Sequence, residues 1–209
     1  MQARELYIAR RPDSLPRFVW IGDVATDEAA SCNEDAILVV AANGVLIESQ
    51  QVFVEAARLL ELHPHVGVVG GLVEGRDGVV VDACYMVNET GLLESPWLGQ
   101  SASRGGPYAL ALKTQSVATT GNSLAFFRIS ALKRADAWPL EAHETSSDTV
   151  LQLCGRLAEN GWIVAFSPLV RARAGSAFRS EQSRRRPPAG VPAVSNALVK
   201  YGMARNFRI

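Results

Sequence analysis

Short, uninterrupted apolar runs alternate along this chain with polar, glycine-rich punctuation. Residues 36–42 (AILVVAA), entered from Glu34-Asp35, contain no polar side chain, which predicts a strand buried on both faces inside a sheet. Residues 66–73 (VGVVGGLV) repeat the pattern, with Gly70-Gly71 leaving room for close approach of neighbouring backbone or a ligand. Between these runs, Val52, Val54, Ala56, Ala57, Leu59, Leu60 and Leu62 keep helical spacing and predict a helix over 48–63, stopped by His63-Pro64. FVWIG (18–22) predicts a strand and turn ending at Asp23, and 79–87 (VVVDACYMV) predicts one further strand after the turn EGRDG. The Gly/Ser/Pro-rich segment 91–107 reads as a long surface loop.

The second half continues in the same style. YALALKTQSVAT and NSLAFFRIS predict two β runs parted by Thr120-Gly121, and Ile129–Arg134 predicts a short helix ending before Trp138-Pro139. A helix near 148–160 has Ser146, Ser147 or Asp148 to cap its start and Gly161 to end it. WIVAF (162–166) and LVRAR (169–173) predict two closing strands. Beyond Phe178 the polar, basic, proline-rich sequence predicts an extended arm, with a final short helix over 193–204. Strands alternating with helices define an α/β layered domain over 1–178, with its function in the loops on one side of the sheet, and an arm over 179–209.

Composition narrows the class. With 48% hydrophobic residues, 20% charged and a mean hydropathy of +0.07, the 209 residues suffice to bury a core. No run reaches the roughly 18 apolar residues of a membrane span, and the charged N-terminus lacks the apolar centre of an export signal, so the expected compartment is the cytoplasm. Cys32, Cys84 and Cys154 show neither disulfide nor zinc spacing and read as buried thiols. The net charge of zero conceals a split: from Arg171 onward there are nine Lys or Arg against Glu181 alone, while the first 170 residues hold 12 basic and 20 acidic side chains. The body is acidic and the arm poor in aromatics, which argues against nucleic acid as a partner. Gly70-Gly71 is no Gly-x-Gly-x-x-Gly fingerprint, so no dinucleotide cofactor is expected.

Taken in order, ILVVAANGVLI, a helix ending LLELHPHVGVVGGLV, DGVVVDACYMV, VATTGNSLAFFRISAL, SSDTVLQLCGRLAENGWIVAFSPL and a Gly-Ser at 175–176 resemble the C-terminal half of the family 2 nucleotide-sugar glycosyltransferases over about residues 36–180. The resemblance implies a GT-A-like, Rossmann-like fold: a mixed, mostly parallel sheet flanked by helices, in which a nucleotide-sugar and an acceptor meet at strand ends. It implies an inverting transfer with Asp148 as general base, the nucleotide side contacted by Asp23, and the acceptor bordered by Thr120, Gly121 and Asn122. Asp148 is also a favoured helix cap and Asp23 an ordinary turn residue. Glu144 and His143 are weaker substitutes for the base.

This chain departs from that family in four places. Where the family has its Asp-x-Asp metal motif, it reads Ala41-Ala42-Asn43, leaving one amide oxygen where a divalent cation needs anionic ligands. The late histidine ligand falls on Ala174 or Gly175, and Asp148 lies about two residues further from Gly161 than the pattern has it. Only 40 residues precede the metal motif, so the fold is truncated on its nucleotide-binding side. The first expectation is therefore a metal-independent transferase without a cofactor, with Asn43 at the donor and Arg171, Arg173 or Arg184–Arg186 neutralising the leaving diphosphate. The alternative is a non-catalytic module of the same fold, self-associating or paired with an active transferase to cover its exposed sheet.

Overall fold

The computed structural model describes residues 18–20, 33–103, 113–138 and 149–178. Among these residues eleven strands and three helices follow in chain order: β1 (Phe18–Trp20), β2 (Ile37–Ala41), β3 (Val45–Leu46), α1 (Gln51–Leu62), β4 (Val66–Glu74), β5 (Val80–Asp82), β6 (Cys84–Val87), β7 (Leu93–Glu94), β8 (Gln115–Ser116), β9 (Thr119–Thr120), β10 (Leu124–Arg128), α2 (Ile129–Arg134), α3 (Thr149–Glu159) and β11 (Ile163–Ala174). The main sheet runs β1-β2-β10-β4-β11-β3, with β5 added to β4 and β8 to β11, and a small second sheet runs β7-β6-β9. The protein is thus mixed α/β, with a mixed sheet between helices and no barrel.

The expectation of a mostly parallel sheet is corrected. Among the described residues only β1–β2 and β4–β11 pair in parallel, because β10 enters antiparallel between β2 and β4. Since β10 opposes both neighbours, β2 and β4 run the same way and their C-terminal ends share one edge.

The apolar runs are continuous because both faces of the sheet are covered. Ile37 and Val39 of β2, with Phe126 and Leu124 of β10, face α1, where Val52, Phe53, Ala56, Leu59 and Leu60 form one buried stripe. Phe53 meets Phe126 edge to face, with centroids 5.7 Å apart. Leu38 and Val40, with Ala125 and Phe127, face Leu132 of α2 and Leu153, Cys154 and Leu157 of α3. Gly161, at φ +79°, ends α3 in a left-handed cap in which Trp162 N–H donates to Leu157 O (3.0 Å).

Three other expectations change. Residues 79–87 are two strands, not one: the chain breaks at Ala83, so β5 joins the main sheet and β6 the small one. WIVAF and LVRAR are one strand, β11, interrupted between Phe166 and Arg171 where its register with β4 shifts. The segment expected as a surface loop is packed as far as residue 103, with Leu93, Trp97 and Ala102 buried and Trp97 stacked on Phe166 at 5.4 Å. The arm over 179–209 and its helix over 193–204 lie outside the described residues.

Gly70-Gly71 serves neighbouring protein atoms. A Cβ on Gly70 would come within 2.5 Å of the Thr120 side chain, and one on Gly71 would strike Val170 O.

Candidate functional site

The C-terminal ends of β2 and β4 gather the candidate residues that the structure describes. After Ala41 the chain turns through Ala42, Asn43 and Gly44, where φ is +82° and a Cβ would run into the backbone of Ala177 and Phe178. Ala42 N–H donates to Ser123 O (2.9 Å), which places this turn beside the Thr120–Ser123 segment leading into β10. Gly175 N–H donates to Gly44 O (2.8 Å), which brings the end of β11 to the same turn. Residues 41–43 and 174–175, about 130 positions apart in sequence, thus meet. The side chains they contribute are three methyls, a hydrogen and the exposed carboxamide of Asn43, a donor set that does not fit a divalent cation. Among the described residues no cluster of three His, Cys, Asp or Glu forms a metal site.

The chemistry of this edge centres on a residue that the motifs did not single out. Asp82 ends β5 opposite Val73 of β4, and its side chain turns in under the Thr120–Ser123 segment. The Ser123 hydroxyl donates to the carboxylate, Oδ2 accepts from Ser123 N–H at 2.8 Å, the Ala83 amide also donates, and Oδ1 lies 3.5 Å from the Tyr85 hydroxyl. Only 5% exposed, the group is pushed up to about 6 by burial, against the pull of these hydrogen bonds. A Cβ on Gly121 would lie 2.5 and 2.6 Å from the two carboxylate oxygens and clash with Ala83 O, so only glycine fits there. The lone charge in VVVDACYMV was the available sequence signal.

The three acceptor candidates therefore differ. Thr120 is fully buried, against Gly70 and with its hydroxyl 3.7 Å from Cys154 Sγ, and Gly121 is packed on Asp82. Asn122 is only half-buried, and its Oδ1 is enclosed without a hydrogen-bond partner among the described residues. Arg128, which ends the same motif, holds the fold: it donates to Leu60 O and Val66 O, tying the end of α1 to the start of β4.

The donor candidates Arg171 and Arg173 lie on β11 near the same edge, and both carry carboxylate partners. Arg171 sits 3.5 Å from Glu74 and donates to Ala102 O (3.0 Å), while Arg173 sits 3.8 Å from Glu48. Cys84 and Cys154 are buried free thiols, both pushed up by burial and Cys84 further by the Asp82 charge, which leaves them unreactive. Asp148, Asp23, Glu144, His143 and Arg184–Arg186 lie outside the described residues. Thr149, the first residue of α3, is buried with its hydroxyl oxygen unpartnered among the described residues.

No protein-family model matches this chain, and no curated protein matches it. No described helix is long and apolar enough to cross a membrane.

Proposed function

We propose that this chain is a glycosyltransferase-like protein that takes a nucleotide-sugar at the C-terminal edge of β2 and β4 and transfers the sugar to a hydroxyl acceptor without a divalent metal. The observation that supports this reading is the meeting of the 41–43 turn, the 174–175 segment and the Thr120–Ser123 segment at one edge. These are the positions at which the resemblance has its donor and acceptor groups. In the reaction the acceptor hydroxyl loses its proton to the Asp148 carboxylate, its oxygen bonds to the anomeric carbon, and the bond from that carbon to the diphosphate breaks with the electron pair leaving on the nucleotide. Arg171 and Arg173 supply the positive charge opposite the leaving group. The pair with Glu48 is exposed, that with Glu74 half-buried, and both are long, worth under about 1 kcal/mol, so a diphosphate can displace the carboxylates.

A second reading, a non-catalytic module of the same fold, draws on a different observation. Thr120 and Gly121 are used up in packing against Gly70 and Asp82, and the turn at 41–43 carries no anionic ligand. One titration separates the two: melting temperature against UDP, GDP, dTDP and their sugars, with and without manganese. On the first reading one nucleotide series stabilises the protein equally in both conditions, by about 2.7 kcal/mol at 100 times Kd, and R171A/R173A abolishes the effect. No shift with any nucleotide overturns it in favour of the module.

A further inference from the structure

We propose that Asp82 is a proton-operated clasp on the Thr120–Ser123 segment: ionised, it holds the segment against β5 through Ser123 N–H, and protonated, it loosens that hold. The inference stands whether or not a nucleotide-sugar binds at this edge. It begins from geometry. Asp82 belongs to β5, which enters the main sheet through β4, whereas Thr120 ends β9 of the small sheet and Ser123 leads into β10. The carboxylate therefore ties β5 to the turn between β9 and β10, a turn that no strand ladder holds to β5. Gly121 is pressed so closely on the carboxylate oxygens that any movement of the segment alters the group's surroundings, and the reverse.

Among the described residues nothing cationic balances the charge. The titratable and charged groups around it, among the described residues, are Cys84 and Tyr85 of β6, Glu74 of β4, itself joined to Arg171 of β11, and Cys154 of α3, which meets Thr120. Neither the thiols nor the phenol supplies a positive charge, and the carboxylate of Glu74 is turned to Arg171. A hydrogen bond from an amide to a carboxylate is roughly twice as strong as one to a neutral carboxyl, so protonation weakens the 2.8 Å bond from Ser123 while relieving the cost of a buried charge. Burial sets the midpoint near 6, where modest acidification operates the clasp.

The two consequences have opposite signs, which distinguishes a clasp from a merely structural carboxylate. Acidification, or D82N, raises global stability and at the same time frees the segment locally. The test is amide NMR on the full chain from about pH 5 to 8. In the wild type the Ser123 amide proton should titrate with a midpoint near 6 and, corrected for the intrinsic rate, exchange roughly fivefold faster below it. In D82N the titration should vanish, with fast exchange at every pH. Y85F, which removes the hydroxyl beside Oδ1, should move the midpoint upward. A wild-type Ser123 amide that is flat over this range, or a step that survives in D82N, overturns the proposal; should D82N fail to fold, the wild-type and Y85F titrations decide it.

Discussion

Asp82 shows how one buried group links stability to pH. Its acid is raised from 3.8 to about 6, so the folded chain holds the proton more tightly than the unfolded one. The stability that this group contributes is therefore greatest below about 4, falls as pH rises towards 6, and stays low above it. Two units correspond to up to roughly 3 kcal/mol, so D82N should raise stability by that order at pH 7.5, by roughly half as much at pH 5 and by little below about pH 4, as urea titrations at the three values would read. The glycines make a second residue-scale contrast. At Gly161 a Cβ meets nothing within 4 Å, so G161A costs only the left-handed backbone, about 1 kcal/mol, whereas G121A must push Asp82 and Ala83 aside and should cost more than about 2 kcal/mol. The sequence marks both as glycines after polar stretches, and only the fold reveals which has a neighbour.

Among elements, those that were legible in the sequence obey local rules. Helix α2 spans Ile129–Arg134 as its pattern indicates, and α1 stops at His63-Pro64. After α2, Asp136 stands at φ +51°, and Ala137 N–H donates to Leu132 O (2.8 Å), the same cap that Gly161 gives α3. D136G should therefore stabilise by several tenths to about 1 kcal/mol, measured by thermal melting. The elements that were misread obey distant partners instead. The run 79–87 is uniformly apolar around Asp82, and its division into β5 and β6 follows from which sheet each half can join. The two apolar runs of β11 fuse because β4 lies alongside both, taking up the interruption as a shift of register. In 91–103, polar punctuation hid Trp97, whose burial depends on Phe166 of β11, almost 70 residues away.

For the whole molecule, the two sides of the main sheet are not independent. Leu124 and Phe126 of β10 belong to the layer under α1, and Ala125 and Phe127 to the layer under α2 and α3, so removing either layer exposes the strand that the other needs. Unfolding should be a single transition, with circular dichroism and tryptophan fluorescence superimposing in urea, and F126A should lower its midpoint by the equivalent of about 3–5 kcal/mol without dividing it. The antiparallel entry of β10 also makes the candidate site, since it delivers Ser123 to Ala42 and Asp82 at the end of β2. By itself the sequence determined the α/β class, the two long buried strands, the three described helices and the lack of a carboxylate at 41–43, because apolar periodicity, capping residues and side-chain type are local properties. Only the tertiary structure decided the mixed strand order, the partners of Arg171 and Arg173, and the importance of Asp82. These depend on burial and on hydrogen bonds between residues tens of positions apart, and the energy of a buried charge is set by what the fold places around it.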